Sequence, residues 1–132
     1  MAETLNFELV SPERKLASTE AEAVTIPGMM GDLTAMANHA PFLTNMRPGY
    51  VVVRNGASET GYFVTGGFAE ISDNTVSVLA EEAVEKDTVN RSYLEEKIGE
   101  AEQALADATA ARKQAALQKL NDYKALLSQA GG

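Results

Sequence analysis

At 132 residues, with 45% hydrophobic residues, the chain has room for one ordinary domain, or for a small domain plus an appendage, and is too apolar for disorder. A net charge of −8 disfavours nucleic acid and anionic lipid as partners, and the absence of cysteine removes disulfides and thiolate metal sites. No apolar run approaches the roughly 20 residues that span a bilayer, and the first residues carry no signal-peptide pattern, so a soluble protein that reaches a membrane only through another protein is expected.

Composition changes abruptly at residue 87. All four prolines, seven of the ten glycines and six of the eight aromatic residues precede it. Leu5–Val10 alternates and runs into Ser11-Pro12. Ala23–Ile26 is a short apolar run closed by Pro27-Gly28. Phe42–Met46 leads to Arg47-Pro48-Gly49, where proline followed by glycine predicts a type II turn. Tyr50–Arg54 reaches Asn55-Gly56, a strong hairpin signal because both residues tolerate positive φ. Tyr62–Thr65 meets Gly66-Gly67, and Ser72-Asp73-Asn74 joins Phe68–Ile71 to Thr75–Leu79. Turn signals at this cadence predict about eight to ten short strands in two packed antiparallel layers over residues 1–86.

Residues 87–132 hold no proline and are rich in Ala, Glu, Lys, Gln and Leu. Ser92-Tyr93-Leu94-Glu95 has the form of a capping box, with Thr88 and Asn90 as earlier caps. Leu94, Ile98, Ala101 and Leu105 share one helical face, and Ala110, Leu117, Leu120 and Leu127 form a second stripe. Asp107 and Thr109 are good caps between the stripes, so a helical hairpin is preferred, although nothing there forbids one continuous helix. Eight alanines in residues 101–116 supply helix propensity but little burial, so the hairpin is expected to dock weakly.

Charge is uneven. Residues 1–86 carry twelve acids and five bases, residues 87–107 six and two, and residues 108–132 one and four. The four late bases are Arg112, Lys113, Lys119 and Lys124. They seek an acidic partner or, more blandly, pair with Glu95, Glu96, Glu100 and Glu102 of the first helix.

Little in the chain carries chemistry. The single histidine, His39, has no second histidine or cysteine with which to build a metal or catalytic constellation, and a loop contact is the expected role. Glu81 and Glu82, read as adjacent strand residues, point to opposite faces. Gly66-Gly67 lacks the Lys-Ser/Thr of a phosphate loop. Met29, Met30, Met36 and Met46 cluster; they read as core filler, or as an adaptable surface patch where the Pro27–Gly31 loop exposes them. No catalytic, metal or cofactor residues are expected.

Several stretches taken together resemble the epsilon subunit of F-type ATP synthases, the counterpart of the mitochondrial delta subunit. They are Val10-Ser11-Pro12-Glu13, Gly31-Asp32-Leu33, Asn38-His39-Ala40-Pro41-Phe42-Leu43-Thr44, Arg47-Pro48-Gly49, Val64 through Ile71 and Val76 through Glu81. The tail matches in length and type only. The resemblance implies an α+β chain: an N-terminal antiparallel β-sandwich of about ten strands, then a C-terminal α-helical hairpin. It implies a non-catalytic central-stalk subunit of a hetero-oligomeric complex, peripheral on the cytoplasmic face of a bacterial inner membrane. Its sandwich (1–86) would bind the gamma subunit and the c-ring, through loops Gly28–Leu33 and Asn38–Leu43 that include Gly31, Asp32, His39, Ala40 and Pro41. Its regulatory hairpin (87–132) would lie on the sandwich or extend along gamma toward the catalytic beta subunits, the extended form restraining ATP hydrolysis, with Arg112, Lys113, Lys119 and Lys124 as contacts.

Some relatives in that family bind ATP through Ile/Leu-Asp-x-x-Arg-Ala. With the arginine aligned on Arg91, Thr88 stands at the aspartate, Asp87 at the apolar position and Ser92 at the alanine, so ATP binding is not expected here. Two other accounts compete: a β-sandwich capturing an unrelated partner through a coiled coil, for which sustained heptads are missing, and an ATP-fixed sensor.

Overall fold

The computed structural model describes residues 3–129, and the chain falls into two compact units that divide between Lys86 and Asp87. Among the described residues the first unit contains ten strands, β1 (Leu5–Val10), β2 (Lys15–Ala21), β3 (Ala23–Gly28), β4 (Gly31–Met36), β5 (Phe42–Met46), β6 (Gly49–Asn55), β7 (Ser58–Val64), β8 (Gly67–Ile71), β9 (Thr75–Ala80) and β10 (Ala83–Glu85). They form one continuous sheet in the order β10-β7-β6-β3-β5-β8-β9-β1-β2, with β4 on the free edge of β3. Every pairing is antiparallel except that of β1 with β9.

The sheet folds over on itself at β3, whose Ala23–Thr25 pairs with β6 while Gly28 pairs with Met46 of β5. That gives a sandwich with β4-β3-β6-β7-β10 on one side and β5-β8-β9-β1-β2 on the other. Alternation in β1 sends Leu5, Phe7 and Leu9 inward, and Val76 and Val78 of β9 meet them. From the opposite layer come Val24, Ile26, Val51, Val53 and Val64. Phe7 stacks on Tyr62 of β7 with ring centroids 6.4 Å apart, joining the two layers through the core.

Three local expectations are corrected. Pro27 and Gly28 do not follow their strand but are its last two residues. Proline brings no N–H to the ladder, but its carbonyl still takes part, accepting from Arg47 N at 2.9 Å. Gly49 does not adopt the positive φ of a type II turn; it opens β6, and an added Cβ would lie 2.8 Å from Cβ of Pro27, so glycine is required there by close approach. In the β6–β7 hairpin Asn55 pairs with Ser58, so the two turn residues are Gly56 and Ala57, and Gly56 alone has positive φ (60°), the glycine-first arrangement of a type II′ turn.

The second unit is a hairpin of α1 (Arg91–Asp107) and α2 (Lys113–Gln129), preceded by a short 3-10 turn, Lys86–Thr88. Asn90, not Ser92, caps α1: its Oδ1 accepts from Tyr93 N at 2.9 Å. Asn90→Ala is expected to cost about 1 kcal/mol of helical stability, read as a lower midpoint for loss of ellipticity in the full chain. Asp107 ends α1 instead of capping α2. On α1 the expected face holds, with Leu94 and Ala101 buried. On α2 it shifts: Ala110 lies in the connection and Leu117 is exposed, whereas Leu120 and Tyr123 are buried.

Candidate functional site

Among the described residues, no group of His, Cys, Asp and Glu is placed to hold a metal ion. His39 is committed locally, its Nδ1–H donating to the Ala40 carbonyl at 2.6 Å. Glu81 and Glu82 lie in the β9–β10 link and not on a strand, where their backbone N–H groups donate to the Gly66 carbonyl and to Thr65 Oγ1. No described helix is long and apolar enough to cross a membrane.

The sandwich instead offers surfaces. Paired strand residues share a face, so the register of β5, β8, β9 and β1 defines an outer wall. Across it Asn45 lies opposite Phe68, Phe68 opposite Leu79, and Leu79 opposite Val10. Leu43 sits one diagonal away, beside Glu70. Phe68, Leu79 and Leu43 are 43, 46 and 64% exposed, an apolar row on an otherwise acidic unit. Val10, Pro12, Phe68 and Leu79 line a shallow hollow of about 410 Å³ in this wall.

The cause is an out-of-phase residue in each strand. In β1 and β9 the core takes Leu5, Phe7, Leu9, Val76 and Val78, which leaves Val10 and Leu79 on the outside. In β8 the core takes Ala69 and Ile71, forcing Phe68 outward. Apolar residues at outward positions of an alternating strand are the signal that sequence reasoning passed over.

The two loops expected to act together are kept apart. Gly31 and Asp32 are not loop residues; they begin β4, paired with Gly28 and Pro27 at the tip of the β3–β4 hairpin. Met36, at the far end of β4, pairs with Ala23, and His39 N donates to the Met36 carbonyl. His39, Ala40 and Pro41 therefore lie roughly 17 Å away along the strand, at about 3.4 Å per residue. At the tip Met30 is 99% exposed and Met29 half-exposed, while Met46 is core. The other end is held by Asn38, whose φ of 67° is left-handed and whose side chain donates to Glu3 at 2.5 Å. Asn38 N also donates to the Asp73 carbonyl at 2.6 Å.

The tail bases do not form one stripe. Arg112 lies in the turn before α2, donating its N–H to the Thr109 carbonyl. Lys113 and Lys124 fall within about 20° of each other around α2, whereas Lys119 is about 120° away from that line. The ion pairs Arg91–Glu95 and Lys97–Glu100 are both internal to α1.

Residues 4–86 match the family model of the ATP synthase delta/epsilon chain β-sandwich domain. The chain is 47% identical to the ATP synthase epsilon chain of Cereibacter sphaeroides over 131 residues, covering 99% of each. It is 54% identical to that of Ruegeria sp. over 101 residues, covering 76% of this chain and 74% of the relative. Among solved structures, a chain of the Euglena gracilis mitochondrial ATP synthase (OSCP/F1/c-ring) superposes with a TM-score of 0.73 at 21% identity, covering 96% of this chain and 81% of that one. A chain of the Tetrahymena thermophila mitochondrial ATP synthase central stalk and c-ring gives 0.63 at 16% identity, covering 95% and 97%. At such identities the likeness speaks to fold alone.

Proposed function

The chain belongs to the ATP synthase delta/epsilon-chain family, and from that membership we propose that it is a non-catalytic rotor subunit, linking gamma to the c-ring in the central stalk. Its place would then be the cytoplasmic face of a bacterial inner membrane, held there by its partners. The observation that carries the reading is the apolar row Val10, Leu79, Phe68 and Leu43 on a rigid sheet wall. Such a row needs a covering partner of matching shape, and gamma is the partner assigned to it. His39, Ala40 and Pro41 lead directly into Leu43, so they go with this wall.

The ring contact is assigned to the opposite end, the tip Met29–Asp32. Flexible, exposed methionines beside a carboxylate suit a surface that must fit the polar loops of neighbouring c subunits. Asp32→Ala is expected to weaken proton-coupled ATP synthesis only slightly, since an exposed ion pair contributes about 0.2–1 kcal/mol. Met30→Arg, which puts bulk and a positive charge at the fully exposed tip and avoids the strain that any side chain meets at Gly31 (φ 125°), is expected to weaken it strongly. Full coupling in both variants would remove the ring from this end.

The hairpin from Asp87 onward is assigned a regulatory role, restraining hydrolysis through Arg112, Lys113, Lys119 and Lys124 against acidic segments of the catalytic beta subunits. Because the bases are spread around α2, each contact is small and screened by salt. Deleting residues 87–132 is expected to leave assembly and coupling intact and to raise ATP hydrolysis at low salt, with the difference shrinking as ionic strength rises. Equal hydrolysis rates at both salt levels would mean a hairpin without inhibitory function.

The reading as a whole is tested by pull-down with purified gamma. Retention of gamma by the full chain and by its first 86 residues is expected, and failure of both would overturn it.

A further inference from the structure

Gly61 stands in the middle of β7, opposite Val52, at a position where glycine weakens a strand and its φ does not demand one. The reason is the side chain of Lys86. A Cβ on Gly61 would lie 2.8 Å from Cδ, 3.3 Å from Cβ and 3.5 Å from Cγ of Lys86. The lysine stem lies flat along the groove that the missing side chain leaves. Beyond Gly61 its Nζ sits over the ring of Tyr50, 5.6 Å from the centroid. Tyr50 in turn meets Phe63 edge-on at 5.4 Å, and burial pushes its phenol pKa up, away from the charged form.

Lys86 is also the last residue of the sandwich unit and the first of the 3-10 turn, directly after the three-residue edge strand β10. So short a strand, paired only with β7 through Ala83, Val84 and Glu85, has little of its own to stop it peeling.

We propose that Gly61, Tyr50 and Lys86 form a latch that fastens the end of β10 and fixes the hinge of the helical arm after Lys86, within Asp87–Asn90. With the latch closed, β10 stays in the sheet whatever the arm does. With it open, the free segment lengthens back through β10 to Glu82, and the arm is tethered more loosely. The consequence for the arm rests on the regulatory reading above, but the latch itself is tested on the isolated full chain, so the two fail separately.

Amide exchange of the peptide covering residues 83–86 is compared in the parent, Lys86→Ala and Lys86→Met. Lys86→Ala removes the stem and is expected to speed exchange there about tenfold, as for a local opening, with β1, β8 and β9 unchanged. Lys86→Met keeps the stem without the charge and is expected to fall between the two. In Gly61→Val the side chain occupies the groove while Lys86 remains, so trypsin is expected to cut after Lys86 about tenfold faster, and after Arg14 at the parental rate. Unchanged exchange in Lys86→Ala, or faster cutting at Arg14 and Lys86 alike in Gly61→Val, would overturn the latch.

Discussion

The double replacement Phe68→Glu, Leu79→Glu is expected to abolish stable binding to gamma while leaving the sandwich folded. Both side chains point away from the core, so the folded state loses little. The β8–β9 pairing itself runs through backbone groups, with Ala69 and Val78 inside. A partner covering this wall must instead bury two carboxylates against apolar surface. Central apolar anchors of an interface are worth about 2–4 kcal/mol each, and unpaired buried charge adds to that, so Kd should rise by at least about a hundredfold. The cross-strand pair makes the effect shared, and Phe68→Glu alone should deliver most of it. Titration calorimetry with gamma measures it, alongside circular dichroism to show retained fold. A well-folded double variant that still binds gamma with parental affinity would remove this wall from the interface.

Gly67→Ala is expected to be the most damaging single-methyl change in the sandwich. Gly67 opens β8 with φ of 126°, outside the range that L side chains adopt, and its Cβ would lie 2.1 Å from the Leu79 carbonyl oxygen. Neither neighbour is the end of a flexible side chain; the second contact is Cα of Ala80 at 2.9 Å. Relief requires β8 to move off β9 at the start of their ladder, where Gly67 pairs with Ala80. Strain of this kind costs at least about 3 kcal/mol, which for a unit of this size lowers Tm by on the order of 15 °C. Gly56→Ala is the control: its φ of 60° also strains an L side chain, but nothing lies within 4 Å of the new methyl, so a smaller loss of about 1–2 kcal/mol is expected. Thermal unfolding of both variants decides; equal Tm values would mean that the close approach at Gly67 relaxes freely. Because Gly67 precedes Phe68, the same change should also disturb the wall and weaken gamma binding.

What was legible in the sequence follows from burial. Strands with one buried face alternate visibly, and Leu5–Val10, Phe68–Ile71 and Thr75–Leu79 lie where that alternation puts them, within a residue. Strands β2 and β4 did not announce themselves because both are edges with mostly exposed side chains. Lys15–Ala21 buries only Ala21, and Gly31–Met36 only Ala35, so neither carries an apolar period. Missing β4 turned Gly31 and Asp32 into loop residues and hid the fact that His39, Ala40 and Pro41 lie at its other end. Gly49 and Gly67 read as turn residues and Gly61 drew no reading, yet each is there because another chain segment passes within 3 Å of where a Cβ would be. Such approaches are tertiary and leave no local pattern. In the tail, periodicity found the face of α1 but put Leu117 in the stripe of α2 and left out Tyr123; the two flank Leu120 on opposite sides, and the buried face lies on the side of Tyr123. The wall was recorded in the sequence as apolar residues out of phase, and was overlooked for want of a register.

The central claim is that one rotor subunit presents its wall to gamma and its hairpin tip to the c-ring. The chain has no cysteine, so single cysteines at Phe68 and Met30 can be introduced without background. In the assembled enzyme, with a photoactivatable maleimide on each, Phe68→Cys is predicted to cross-link to gamma and Met30→Cys to the c subunit. Cross-links to the opposite partners, or to neither, would contradict the account.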